Sequence, residues 1–344
     1  MNKPRIAVDV MGGDHGPEVI VEGAVRAVQS ADVHLLLVGD SEAVSACLSK
    51  YGRDDLDIEV VHASEVAEMV EKPSDIMRKK KDSSMQVAFR LVRDGKADGV
   101  VTAGNSGAAL TCGIFTLGRV KGIERPALAT VLPTEGSPLV LLDVGANVDC
   151  KPKHLVQFAL MADVFAKNVL QVEEPKVGIV SIGEEEGKGN AQVKTAYDLL
   201  KKAPLNFVGN IEGRDLFDGQ HADVAVCDGF TGNIALKLCE GLASALGNIL
   251  CCELKRSWLS QLGTLLSMGA LARFKLRCDY AEYGGAPLLG LKGFTMVCHG
   301  KSNSKAICNA VKMAGMYVSK RTNESLVAAL EQMPKDSDGE EAEF

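Results

Sequence analysis

Apolar positions in this chain fall in short dense runs separated by longer amphipathic stretches. Arg5–Val10, His34–Val38, Ile58–His62, Leu128–Leu132, Leu139–Val144, Val177–Ile182, Phe207–Gly209 and Val224–Cys227 are runs of strand type. Between them the spacing predicts helices. One runs from Pro17 to about Val28, with Pro17 at a favoured first position. Asp40 caps the next, and Ser83 or Ser84 caps another that turns Val87, Leu91 and Val92 inward. Further helices start near Pro152, span Ala191–Lys202, and begin at about Ser304. Strand and helix alternate throughout, which predicts an α/β fold: a mainly parallel sheet covered on both faces, in one large domain over residues 1–334.

Ligands of such sheets sit at the carboxyl ends of the strands. The loops at Gly12, Gly104, Gly145, Gly183 and Gly229 all follow predicted strands and are therefore expected to face one cleft. In Ala222–Gly241 (ADVAVCDGFTGNIALKLCEG), a buried strand passes through a two-glycine turn into a helix that Asn233 opens. Such a turn leaves backbone N–H groups aimed outward with a helix dipole behind them, which makes an anion cradle. A parallel α/β protein also makes such turns with no ligand. Ala97–Gly107 (ADGVVTAGNSG) echoes the stretch ADVAVCDGFTG at Ala222–Gly232, so the chain holds either two cradles or an old duplication.

Composition narrows the classes. A chain that is 46% apolar with 35 glycines can bury a large core with many tight turns. Aromatic residues make up 5% and the net charge is −7, which argues against a nucleic-acid partner. None of the ten cysteines forms a C-x-x-C pair, and most sit in apolar runs, so neither a disulfide framework nor a zinc site is expected. MNKPR leads straight into a strand, with no signal-peptide pattern, and the reading is a reduced, cytoplasmic protein.

Two stretches break the rhythm. Arg78-Lys79-Lys80-Lys81 is either a solvated helix face or a docking patch for an acidic partner or a phosphate. Ser257–Ala272 carries no charge, is flanked by Lys255, Arg256, Arg273, Lys275 and Arg277, and is too short and interrupted to span a bilayer. It reads as a helical arm (about 245–278) that touches anionic lipid, a second subunit, or both. The tail 335–344 is acidic and expected to be disordered.

Several motifs fail. His299-Gly300-Lys301-Ser302 ends like a P-loop, but Thr295 stands where its first glycine belongs. Gly104-Asn105-Ser106-Gly107-Ala108 is a nucleophile elbow with its last glycine replaced, which leaves a serine hydrolase as a rival reading. No G-x-G-x-x-G follows the first strand, and nothing in the spacing of Glu184–Glu186 demands a metal.

Eight loop segments together resemble the bacterial PlsX family, the acyl-carrier-protein:phosphate acyltransferases. They are DVMGGDHGP (Asp9–Pro17), KKDSSM (Lys80–Met85), TAGNSGA (Thr102–Ala108), LLDVGAN (Leu141–Asn147), IGEEEGKG (Ile182–Gly189), GNIEG (Gly209–Gly213), CDGFTGNIALK (Cys227–Lys237) and EYGGAPLLG (Glu282–Gly290). They stand in the family's order and span nearly the whole chain apart from the tail. Ser106 stands where threonine is more usual. The resemblance implies a three-layer αβα fold like that of isocitrate dehydrogenases and phosphotransacetylases, and a homodimer. It implies a place early in phospholipid synthesis, peripheral contact with the inner face of the cell membrane, and a downstream glycerol-phosphate acyltransferase that uses acyl phosphate.

On that resemblance, inorganic phosphate attacks the thioester of an acyl group on acyl carrier protein, with no cofactor and no metal. Lys188, alone between Gly187 and Gly189, is expected to supply the cation, and Asn233 to donate its amide. Gly12, Gly13, Asp14, His15, Gly104, Asn105, Ser106, Gly107, Gly183, Asp228, Thr231, Gly232 and His299 are the expected phosphate-binding residues. His15 and His299 are best placed for proton transfer. Two rivals are a hydrolase using Ser106 and a non-catalytic membrane or carrier-protein adaptor.

Overall fold

A computed structural model describes residues 3–52, 56–278 and 280–333; the tail expected to be disordered lies outside them. The chain opens with β1 (Arg5–Asp9), α1 (Pro17–Ser30), β2 (His34–Gly39), α2 (Ser41–Leu48) and β3 (Ile58–His62). Then come α3 (Pro73–Lys79), α4 (Ser84–Arg93), β4 (Gly99–Thr102) and α5 (Ser106–Cys112), which continues as a π-helical turn to Leu117. The middle holds β5 (Ala127–Leu132), β6 (Leu139–Leu142), α6 (Pro152–Asn168), β7 (Lys176–Val180), α7 (Ala191–Leu200), β8 (Asn206–Ile211) and β9 (Val224–Val226). An arm of α8 (Gly229–Lys255), α9 (Trp258–Leu266) and α10 (Met268–Cys278) precedes β10 (Ala286–Leu289), β11 (Phe294–Val297), α11 (Ser304–Ser319) and α12 (Thr322–Glu331).

All eleven strands form one sheet in the order β3-β2-β1-β4-β11-β10-β5-β6-β9-β7-β8. Alternate residues of each strand serve opposite layers, as the two-residue period requires. Ile6, Val8, Leu35 and Leu37 face the core shared with α1, α6 and α11, while Ala7, Leu36 and Val38 face α4 and α5. In the other half Val140, Leu142, Val224 and Val226 join the first core; Leu139, Leu141 and Ala225 build a third cluster on the opposite face. Fully buried Phe89, Phe158 and Phe165 anchor these layers. Burial of each such ring stabilises by about 1.5–3 kcal/mol. Three layers are what the alternation predicted.

The sheet is mainly parallel, as expected, with antiparallel pairings confined to its middle. β1, β2, β3, β4 and β11 run one way. β10 is antiparallel to both β11 and β5, and β5 is antiparallel to β6. Consequently β6, β9, β7 and β8, parallel among themselves, run opposite to β1 and β4. The loops after β1, β4 and β11 leave one edge of the sheet, and those after β6, β7 and β9 leave the other. The contacts join the loops of Gly12 and Gly104 in one cluster and those of Gly145 and Gly229 in a second, while Gly183 touches only its own loop.

Pro152, Asp40 and Ser83 open or cap their helices as expected. Ile182 lies beyond the end of β7, 82% exposed in the loop. α8 starts at Gly229, ahead of the anticipated arm, and by length and composition alone could cross a membrane. Its first turn is packed into the sheet edge through buried Gly229 and Gly232.

Candidate active site

The first cluster closes around Asp9, which is 1% exposed. Its carboxylate accepts from Ser84 Oγ at 2.6 Å, Thr102 Oγ1 at 2.7 Å, and the N–H groups of Met11 and Gly12. Burial pushes this carboxyl above its ordinary range, and the four donors pull against that shift. Thr102 Oγ1 in turn accepts from Gly104 N at 3.0 Å. A β-carbon on Gly12 would lie 2.8 Å from Gly104 N and 2.9 Å from Asp9 Oδ2, so only glycine lets the two loops close. Gly13, at φ +92°, packs against Ala103 and the carbonyl of Gly300.

Around this core stand the other predicted residues of the first half. Asp14 N donates to Gly300 O at 2.7 Å, which locks the β1 and β11 loops together. His299 is exposed, and its Nδ1 accepts from Lys301 N at 3.1 Å, so the neutral ring carries its proton on Nε2. His15 is exposed in the same β1 loop. Asn105 caps α5 by accepting from Ala108 N at 3.0 Å, and its Nδ2 donates to Met69 O and Glu71 O. Gly107 packs beside Pro73, and Ser106 is exposed at the first helical position. No histidine bonds Ser106 among the described residues, so the hydrolase reading finds no base to activate that hydroxyl.

The second cluster repeats the plan. Asp143 is fully buried; it accepts from Leu128 N, Gly145 N and Ala146 N at 3.0–3.2 Å, and from Asn147 N and Nδ2 at 2.7 and 2.9 Å. Burial again pushes the carboxyl up against these donors. Asn147 O then accepts from Gly229 N at 2.7 Å, which seats α8 on the loop. Asp228 caps α8 by accepting from Thr231 N at 2.8 Å and Thr231 Oγ1 at 3.2 Å.

Here the structure amends two expectations. Gly229–Gly232 is the first turn of α8 rather than a turn before it, so Asn233 does not open the helix. It lies exposed in the second turn, with its side chain about 3.6 Å from where Gly145 would carry a β-carbon. The outward-facing amides are also largely taken. Asn147 and Asp228 hold those of Gly229 and Thr231, and Asp143 holds those of residues 145–147. The chain's own carboxylates fill the concavities that sequence reading assigned to a ligand.

Beyond β7, Gly183 is buried against the aliphatic part of Lys188. Glu184 pairs with Arg214 at 3.1 Å and Glu186 with Lys201 at 2.7 Å. Lys188 is exposed and enters no ion pair among the described residues. Glu185, also in no ion pair among the described residues, brings its Oε2 against Gly183 beside the Lys188 stem. Asp215, Asp218 and His221 are the one grouping with metal-ligand spacing among the described residues, but all three are bound up in the turn they form.

Sequence reading missed Asp9 and Asp143. The signal was available: each is an acid at the end of a buried apolar run, followed by valine and then a glycine loop.

Fold and loops together define a class, the phosphotransacylase-like αβα proteins. The fold is similar to a phosphotransacetylase from Streptococcus pyogenes (TM-score 0.65, 18% identity, covering 92% of this chain and 94% of that one). It is also similar to a branched-chain phosphotransacylase from Enterococcus faecalis (TM-score 0.53, 15% identity, 91% and 99% covered). A model of the family described as "Fatty acid synthesis protein" matches residues 4–325, and the chain belongs to that family, the PlsX family of the resemblance. Its curated relatives include phosphate acyltransferases of Nitratidesulfovibrio vulgaris, 60% identical over 331 residues with 96% of each chain covered. That of Lawsonia intracellularis is 57% identical over 327 residues, with 94% of each covered.

Proposed function

We propose that this enzyme moves a fatty acyl group from acyl carrier protein to inorganic phosphate, giving acyl phosphate for phospholipid synthesis. Acyl transfer to phosphate rests on family membership and on relatives named phosphate acyltransferase. A phosphate oxygen adds to the thioester carbonyl carbon, the carbon–sulfur bond breaks, and the proton of hydrogen phosphate goes to the leaving thiolate. Atoms and charge balance without another reactant, and no side-chain nucleophile is required.

Lys188 is the observation that carries the assignment of roles: an exposed cation on a glycine loop, in no ion pair among the described residues, with Glu184 and Glu186 paired elsewhere. It is left to meet phosphate or the developing oxyanion. Asn233 presents its amide beside Gly145 in the second cluster, whereas His299 stands in the first. Supplying acyl carrier thioester and phosphate to the purified protein, and measuring acyl phosphate together with free thiol, tests the reading. An adaptor would bind the carrier and turn over nothing.

The surroundings proposed for this chemistry are a homodimer at the inner face of the cell membrane. Ile234, Leu238, Leu242, Leu246 and Ile249 form a stripe of helical spacing along α8, exposed in the single chain, and this stripe suits a second copy. Trp258, Leu262, Leu265, Leu266 and Phe274 project from α9 and α10 beside Arg256 and Arg273, a composition suited to an anionic lipid surface. The acyl phosphate would pass to a glycerol-phosphate acyltransferase.

A further inference from the structure

Segments 119–125 and 149–153 meet on one surface beside the second cluster. Arg125 Nη1 donates to Asp149 O at 2.9 Å, Lys153 pairs with Glu124 at 2.5 Å, and Arg119 reaches the carbonyl of Glu124. Arg119, Lys121, Arg125, Lys151 and Lys153 are all exposed there. Against Glu124 and Asp149 they leave a local charge of five minus two, +3, on a chain whose net charge is −7. Among the described residues only Lys153 of the five is in an ion pair; the two guanidinium groups spend their bonds on carbonyl oxygens. The basic run at residues 78–81 differs, because Lys79 and Lys80 are paired with Asp75 and Glu71.

This surface is tied to the site. Asn147 Nδ2 donates to Pro126 O at 2.8 Å, while Asn147 O accepts from the first residue of α8, the helix that carries Asn233. We infer that this basic surface docks the acidic acyl-carrying protein and directs its thioester toward the loop beside Asn233, an inference that rests on the carrier-thioester reading above. Unpaired cations at a rim attract an acidic partner and speed its approach. A bilayer is a poorer fit: Val148 is the only large apolar side chain exposed between residues 119 and 153, whereas α8–α10 display many.

The test compares Lys121→Glu/Lys151→Glu with the parent enzyme, using acyl carrier thioester and a small acyl-pantetheine thioester. The expected result is a rise of about tenfold or more in KM for the carrier thioester and a weaker salt dependence. Kinetics with the small thioester and KM for phosphate should be unchanged, as should Arg78→Glu/Lys81→Glu with either thioester. Unchanged carrier kinetics, or an equal loss with both thioesters, would overturn the docking surface. So would a changed sedimentation mass, which marks a self-interface, or lost binding to anionic phospholipid vesicles with carrier kinetics intact. A parent inert toward both thioesters would overturn the acyl-transfer reading and this proposal with it.

Discussion

Gly232 lies directly against the carbonyl oxygen of Asp143: a β-carbon on the glycine would sit 1.9 Å from that oxygen. The first turn of α8 thus rests on the loop that follows β6, with no room for any side chain between them. Gly232→Ala should destabilise the protein by about 3 kcal/mol or more through overpacking against backbone. Gly241, farther along the same helix, has open space around it, and Gly241→Ala should stabilise by about 0.5–1 kcal/mol. Urea unfolding of the two variants checks the contrast; equal and opposite-to-expected shifts would reject the docking of α8 described above.

Lys188→Met should lower kcat about 100- to 1000-fold, the usual effect of losing one donor to a developing oxyanion. The melting temperature should not move, because the side chain is exposed and in no ion pair among the described residues. Near-normal acyl phosphate formation would remove Lys188 from the mechanism.

Asn233→Ala should reduce kcat about 100-fold while leaving the helix intact, since Asp228 and not Asn233 caps it. Gly145→Ala tests the same corner from the other side. Gly145 has φ +133°, so an L side chain strains the loop backbone, while its new methyl would rest in ordinary contact with Asn233 at about 3.6 Å. Turnover should fall more than the urea midpoint does.

Burial holds His154 below its ordinary imidazole range of 6.5, against the opposing pull of Glu124, which bonds its Nε2 at 3.0 Å. As pH falls below about 6.5 the unfolded chain therefore binds a proton that the folded state resists. Stability should drop on acidification through that window and be regained on return to pH 7.5. Urea midpoints at pH 7.5 and 5.5 measure the drop, which should be smaller for His154→Gln.

Thiol chemistry should divide by burial. Desolvation pushes Cys112 and Cys298 up to about 12 and Cys150 up to about 11, so at pH 8 the Cys150 thiolate is about one part in a thousand. Exposed Cys251 and Cys252 should alkylate first, and Cys112 and Cys298 only on unfolding. Mass spectrometry of timed iodoacetamide reactions would show the order, and early modification of Cys298 would contradict this packing.

Much of this was legible in the residues. Asp40, Ser83, Pro17 and Pro152 mark helix starts because capping and proline geometry act locally. Strand direction was not legible. A buried strand reads as an apolar run whether its neighbour is parallel or antiparallel, so nothing in Leu139–Leu142 announced the reversal at β5 and β6. β10 was missed because Pro287 interrupts a four-residue strand behind Gly284 and Gly285. The glycine loops were found, yet their filling by Asp9, Asp143 and Asp228 depends on which way each carboxylate turns, a tertiary fact.

The carboxylates of Asp9 and Asp143 give each glycine bend an internal template. The conformational entropy of those bends is lost once, as the chain folds, and not again at every turnover. Incoming reactants meet a wall of fixed shape, so discrimination between them falls to the few mobile groups at its rim.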